Sequence, residues 1–198
     1  QNEVGTWFNE LRTAVAANER YSLTFANADL ASMNRSKATS AFEQSVTIAK
    51  VITENRLGFT VGGTVLFQDT FPVNKTVIGK ANSLGTNVVV LPDTALPPIA
   101  GTTFTPSGTS TVETPNGRVK VFLLDSLLSN LATNTVENAA QTSLQRQRLL
   151  SDTLLIALQL PNSERNIFVS PPTYWEPSSE GAFVFAEGLL KAPWVIRD

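Results

Sequence analysis

Acidic side chains follow the predicted strands of this chain at short distances. Aspartates come soon after the first four predicted strands and a glutamate lies a little further past the fifth: Asp29, Asp69, Asp93, Asp125 and Glu176. Because the carboxyl ends of parallel strands share one edge of a sheet, these carboxylates are expected to converge there. Two of them about 5 to 10 Å apart could act as general acid and as nucleophile or base on a glycosidic bond, without a metal ion.

The same carboxylates also suit structural roles. Asp29, before Leu30, and Asp125, before Ser126, stand at positions that suit the N-cap residue of a helix. Asp69 and Asp93 suit turns, because an aspartate side chain accepts hydrogen bonds from nearby backbone amides. The sequence leaves the catalytic and the capping interpretations open, and the separation of the carboxylates would distinguish them.

A second candidate site is the segment PPTYWEP at residues 171–177, which places two aromatic side chains and an acid on a loop stiffened by prolines. Tyr174 and Trp175 could form a stacking platform for a sugar ring. The competing expectation, which we favour, is that Trp175 packs inward as a plug and leaves Tyr174 nearer the surface. Glu176 could cap the following helix or face solvent.

Composition excludes several kinds of chemistry. The 198 residues include no histidine and no cysteine. A Ser-His-Asp triad, a cysteine nucleophile, a His or Cys zinc site and a two-His-one-carboxylate iron site are therefore impossible within this chain. We expect no metal and no cofactor. The net charge of -2, without any run of like charges, also argues against nucleic acid as a partner.

The elements that would carry these side chains alternate between strands and helices. Short β-prone runs bounded by turn residues predict five strands, at 21–25, 64–67, 87–91, 119–124 and 166–170, and a last one cut short at 194–196. Helical periodicity predicts helices at 6–18, 36–56, 74–84, 137–160 and 179–191, with a short one ending at Leu131. Alternation of this kind predicts an α/β chain with a mainly parallel sheet of five or six strands, either doubly wound or curled into a partial or irregular (β/α) barrel. No glycine-rich phosphate loop is present, which favours the barrel.

The segment from Thr94 to Gly117 interrupts this rhythm with Thr, Ser, Pro and Gly. We interpret it as a β-hairpin insertion near 101–117, in which 102–105 would pair with 109–114. Asn116 and Gly117 suit the positive φ angles of a tight turn.

The chain has the size of one domain, and we expect residues 1–198 to form a single α/β domain. It starts at Gln1 and enters a helix almost at once, so we expect it to be excised from a larger protein. The most apolar stretch, 149–160, is too short and too polar to span a bilayer.

Five segments resemble one known family in order and spacing: FANADL from Phe25, VVVLPDTALPP from Val88, VKVFLLDSLLSNLA from Val119, RLLSDTLLIAL from Arg148 and PPTYWEP from Pro171. The chain is similar along most of its length to large secreted actinobacterial envelope proteins of unknown function, encoded near a lipid II flippase. The resemblance implies a location outside the cytoplasm and a barrel-like region related to polysaccharide deacetylases and glycoside hydrolases. The PPxxWxP element is its most specific part.

The chain also departs from this family. Relatives tend to have an acid where Asn27 stands, and active polysaccharide deacetylases need an aspartate with two histidines as metal ligands, which this chain cannot supply. A deacetylase mechanism is therefore not carried over. The positions that match the family pattern are Asp29, Pro171, Pro172, Trp175 and Pro177, but the family has no established catalytic residues.

Three functions remain. We place first a non-catalytic envelope module that binds glycan or a protein partner, because the deacetylase metal ligands are missing. A metal-independent glycoside hydrolase that uses two of the five carboxylates comes second. A structural spacer inside a larger chain comes third.

Overall fold

The computed structural model describes residues 3–67, 73–133, 139–172, 175–176 and 178–196. Helices in this part of the chain are α1 Glu3–Ala14, α2 Leu30–Arg35, α3 Thr39–Leu57, α4 Lys75–Ser83, α5 Ser126–Thr133, α6 Ala139–Gln159 and α7 Ser179–Lys191. The strands are β1 Ser22–Leu23, β2 Thr64–Phe67, β3 Thr86–Pro92, β4 Thr109–Thr114 and β5 Gly117–Leu124. Strands and helices alternate as predicted from α1 to β3, whereas β4 directly precedes β5, and α5, α6 and α7 follow one another without a named strand among the described residues.

The strands form one five-stranded sheet in the order β1-β2-β3-β5-β4. β1 pairs with β2 and β2 pairs with β3 in parallel, with Val65 opposite Val88 and Phe67 opposite Val90. β4 and β5 are joined by a two-residue turn, a connection that only antiparallel neighbours allow. The predicted α/β class with a mainly parallel sheet is confirmed. Closure of the sheet into a partial barrel stays a prediction.

The chain divides into two compact units. The first comprises Gln1–Leu91 and Ser110–Phe122, and the second comprises Pro92–Thr109 and Leu123–Asp198. A single domain over 1–198 therefore stays a prediction.

The core of the first unit follows from its sequence periodicity. Helix α3 contacts β1 and β2, and it buries Phe42, Val46 and Ala49 at helical spacing. The helix ends at Gly58, whose φ of 71° is a left-handed conformation that glycine adopts without strain. Val89 of β3 is fully buried, as expected of a strand covered on both faces.

In the second unit, three helices share an apolar core. Helix α6 contacts both α5 and α7. Leu128, Ala132 and Leu149 are buried together, and Ile156, Ile167 and Leu189 pack against them. No helix among the described residues is long and apolar enough to cross a membrane.

The predicted hairpin at 101–117 is wrong in its pairing. The structure assigns no strand to 102–105, and β4 pairs instead with β5, the strand that follows it. The hairpin turn is therefore Pro115–Asn116, and Gly117, the first residue of β5, has a φ of 112°. Backbone groups before β4 find other partners: the Thr105 amide donates to Gln159 Oε1 at 2.7 Å, and the Gly108 amide donates to the Asn166 carbonyl at 2.6 Å.

Two further expectations fail in the second unit. The strand predicted at 166–170 is reduced to one parallel bridge between Leu124 and Phe168, and 194–196 forms no strand. Trp194 instead donates its indole N–H to Thr153 Oγ1 at 3.2 Å. Near the end of α6, in the most apolar stretch of the sequence, Leu155 and Leu158 are about 60% exposed.

The contrast between Leu149 and Leu155 on helix α6 gives a test of this packing. Leu149→Ala should lower the free energy of unfolding by about 2 to 5 kcal/mol, because it opens a cavity among the buried side chains of α5 and α6. Leu155→Ala on the same helix should change it by less than about 0.5 kcal/mol. Urea denaturation of both variants measures the difference, and equal effects would contradict the described core.

Candidate functional site

Asp29 caps helix α2, as its position in the sequence predicts. One of its carboxylate oxygens accepts the Ser32 backbone amide at 2.9 Å and the other accepts the Ser32 hydroxyl at 2.6 Å. Arg35 in turn donates to the Ser32 hydroxyl oxygen at 2.6 Å. The local sequence therefore supplies a cap, a hydroxyl donor and a cation within two helical turns.

These contacts set the acidity of Asp29. Burial has the largest single effect and raises the pKa, but the hydrogen bonds from Ser32, the charge of Arg35 and the Ala31 amide together outweigh it. The pKa of Asp29 is consequently lower than its ordinary value. A general acid needs the opposite shift, because it must keep its proton at the working pH.

Asp93 and Asp125 meet at the first turn of helix α5, within the second unit. Asp125 is the N-cap residue, and its Oδ1 accepts the Leu128 amide at 2.9 Å. Asp93 comes from the end of β3, and its Oδ1 accepts the Ser126 hydroxyl at 2.5 Å while Oδ2 faces the Ser126 amide at 3.4 Å. Both carboxylates therefore contact the first turn of the same helix, and their convergence at a separation that suits catalysis stays a prediction.

The carboxylates at α5 accept hydrogen bonds from backbone amides and from the Ser126 hydroxyl. Asp93 Oδ1 also accepts the amide of Thr94 at 2.8 Å, so this oxygen has two donors. The backbone of Asp125 is held as well, because its amide donates to the Phe168 carbonyl at 2.9 Å. An acid-base or nucleophilic group needs an oxygen that can approach the substrate. The arrangement therefore favours capping over catalysis.

Ser126 is the residue of this cluster that sequence reasoning missed. Local sequence identifies Ser126 only as the residue after a candidate N-cap. In the structure its hydroxyl and its amide both donate to Asp93, which lies 33 positions earlier in the chain. The serine directly after the N-cap aspartate could have indicated a second acceptor near the beginning of the helix. The local sequence does not show that this acceptor is Asp93.

Trp175 is half-buried and anchored to helix α5. Its indole N–H donates to the Ala132 carbonyl in the last turn of the helix at 3.1 Å. The preceding part of the loop is also attached to α5, through the Ser170 amide and the Ser129 hydroxyl at 3.2 Å. Trp175 thus packs inward, as expected, without being fully buried.

One of the remaining candidates lies among the described residues. Glu176 is exposed. Asp69, Tyr174 and Pro177 lie outside the described residues. Among the residues that the structure describes, no group of three acidic, histidine or cysteine side chains is arranged to hold a metal ion.

A comparison with models of known protein families finds a match. The model of a family of unknown function, DUF6049, matches residues 11–197. The chain belongs to the DUF6049 family. Comparison of this DUF6049 chain with curated proteins and with solved structures finds no match.

The low pKa of Asp29 makes part of the stability dependent on pH. The folded-state pKa lies below the ordinary value of 3.8, so the ionised cap stabilises the fold fully above that value. The contribution is lost as the pH falls below 3.8 and through the folded-state pKa. We expect Asp29→Ala to cost about 1 kcal/mol at neutral pH and less at pH values below the folded-state pKa.

Chemical denaturation of the Asp29→Ala variant and the parent protein at several pH values measures this difference. Glu43→Ala, at an exposed position on α3, serves as the control. A cost that stays constant down to the lowest pH at which both proteins fold would contradict the role of Asp29 as an ionised cap.

The anchoring of Trp175 is tested by a substitution that removes its N–H and keeps a smaller aromatic ring. Trp175→Phe should lower the free energy of unfolding by about 1 kcal/mol or more, because the Ala132 carbonyl loses a donor. Trp7→Phe is the matched control, since Trp7 is exposed on α1. Equal thermal midpoints for Trp175→Phe and the parent protein would show that the hydrogen bond does not hold the loop.

Proposed function

We propose that this DUF6049 chain is a non-catalytic module of the cell envelope whose role is to bind a partner. The observation that carries the proposal is the use of the strand-end aspartates. Asp29, Asp93 and Asp125 all accept hydrogen bonds from the first turn of a helix. The edge of the sheet where α/β enzymes place their reactive groups is used here to hold helices.

The envelope location rests on the resemblance of five sequence segments to secreted actinobacterial proteins, and most specifically on PPTYWEP at 171–177. The same resemblance supports a partial (β/α) barrel related to those of polysaccharide deacetylases and glycoside hydrolases. A module that retained the fold of these enzymes for binding, and not for catalysis, would lack their metal ligands, as this chain does.

The described residues favour a protein partner over a glycan. A sugar platform needs an aromatic ring with a free face, whereas Trp175 is half-buried and its N–H is engaged. Large apolar side chains are exposed on α6 and α7, among them Leu158 and Phe183. A contiguous patch of such side chains would be typical of a surface that binds another protein.

A metal-independent glycoside hydrolase is the second candidate. It is favoured by one observation, that Asp93 and Asp125 follow neighbouring strands of the sheet and reach the same helical turn. In this candidate the two carboxylates would act as acid and as nucleophile or base. A structural spacer, the third function, would need neither of the two carboxylates for catalysis.

Incubation of the purified protein with isolated cell-wall glycan, followed by measurement of new reducing ends, separates these functions. We expect no hydrolysis above the protein-free blank from the parent protein, Asp93→Asn or Asp125→Asn. Glu113→Gln, at an exposed position on β4, is the control for a change of carboxylate unrelated to α5.

Hydrolysis that Asp93→Asn or Asp125→Asn abolishes and Glu113→Gln retains would overturn the proposal in favour of the glycosidase. Retention of the parent protein, but not of Trp175→Ala, on the insoluble glycan would replace the protein partner by a glycan. Such a result is meaningful only when circular dichroism shows that Trp175→Ala is folded.

A further inference from the structure

The turn between β4 and β5 contains an asparagine followed by a glycine. Asn116 is exposed, and Gly117 has a φ of 112°. Because glycine has no side chain, its backbone nitrogen is accessible to the side chain of the residue before it. Asparagine is one of the chemically labile residues of proteins, and a glycine after it leaves attack on its side-chain amide without steric hindrance.

The side chain of Asn116 also holds the hairpin to helix α4, within the first unit. Its Nδ2 donates to the Gly79 carbonyl at 2.8 Å. The approach is close, because a Cβ at Gly79 would lie 2.9 Å from Thr114 Oγ1. The same Thr114 hydroxyl donates to the Gly117 carbonyl at 2.7 Å and accepts the Asn116 amide at 3.2 Å.

We propose that Asn116 is a site of spontaneous deamidation and that its conversion releases the β4–β5 hairpin from α4. The backbone nitrogen of Gly117 attacks Cγ of Asn116. The new N–Cγ bond forms, the Cγ–Nδ2 bond breaks, and ammonia leaves with the proton of the Gly117 amide. Water then opens the cyclic imide at either carbonyl and gives aspartate or isoaspartate.

The products lose the contact that the amide makes. A carboxylate at 116 cannot donate to the Gly79 carbonyl, and its negative charge faces the negative end of that carbonyl dipole. Isoaspartate in addition inserts a methylene group into the backbone of a two-residue turn, which shifts the pairing of β4 with β5. β4 stands at the edge of the sheet, so no further strand holds it in place.

The hydrogen bonds of the turn also control the rate of the reaction. Attack requires Cγ of Asn116 to turn toward the Gly117 nitrogen, and the bond from Nδ2 to Gly79 opposes that rotation. Opening of the hairpin therefore precedes deamidation. Thr114→Val, which removes the hydroxyl that bridges the turn, should accelerate the reaction.

The test is incubation of the intact protein at mildly alkaline pH, followed by proteolysis and tandem mass spectrometry. Asn82 is an internal control: its Nδ2 also donates to a backbone carbonyl, that of Thr86 at 2.9 Å, but the next residue is Ser83. Both asparagines lie in the same tryptic peptide, 81–118. We expect conversion at Asn116 to exceed that at Asn82 at least about tenfold, and Thr114→Val to widen the difference. Equal conversion at the two positions would overturn the proposal.

Hydrogen exchange tests the structural consequence. Asn116→Asp and the aged protein should both exchange the β4 amides about tenfold faster than the parent, the effect of losing one hydrogen bond of about 1.4 kcal/mol. Amides of α6 should be unchanged and serve as the control. Unaltered exchange in β4 would show that Asn116 does not hold the hairpin and would overturn this part of the proposal.

Discussion

The first turn of every helix leaves backbone N–H groups without an intrahelical acceptor, and helices α2, α4 and α5 of this chain meet that requirement with the side chain that stands directly before the helix. Asp29 accepts from α2, Asn74 accepts from α4 at 2.9 Å, and Asp125 accepts from α5 at 2.9 Å. Each cap fixes the point at which the chain leaves a strand or loop and enters a helix. The arrangement of the helices therefore depends on residues at the edge of the sheet where an α/β enzyme would keep its catalytic groups.

In the second unit, helix α5 is held at both ends and along its inner face. Asp93 and Asp125 hold its beginning, and Ser129 and the Ala132 carbonyl hold the loop that contains Trp175. Its inner face contributes Leu128 to the buried core. A helix with its first turn, its last turn and its inner face all engaged is a scaffold for the loop. The proposed binding function is supported by this use of the carboxylates, because oxygen atoms that accept hydrogen bonds from the first turn of a helix are held by the fold.

Local pattern was sufficient to predict some elements and insufficient for others. β2 and α7 were predicted with the bounds that the structure shows, and Asp29 and Asp125 were expected as caps, because all four depend on neighbours within a few residues. The partner of β4 and the bond between Asp93 and Ser126 depend on residues far apart in the chain, which propensity does not encode. The segment at 166–170 has the composition of a strand, yet the structure gives it one bridge, since tertiary contacts decide whether such a segment pairs.

The central claim is that Asp93 serves to hold helix α5, and a double-mutant cycle between Asp93 and Ser126 tests it most directly. Unfolding free energies of Asp93→Ala, Ser126→Ala and the double variant give the coupling between the two side chains. A charge-assisted hydrogen bond such as the one at 2.5 Å should give a coupling of about 1 to 3 kcal/mol. A coupling indistinguishable from zero would contradict the account and would leave Asp93 free for another role.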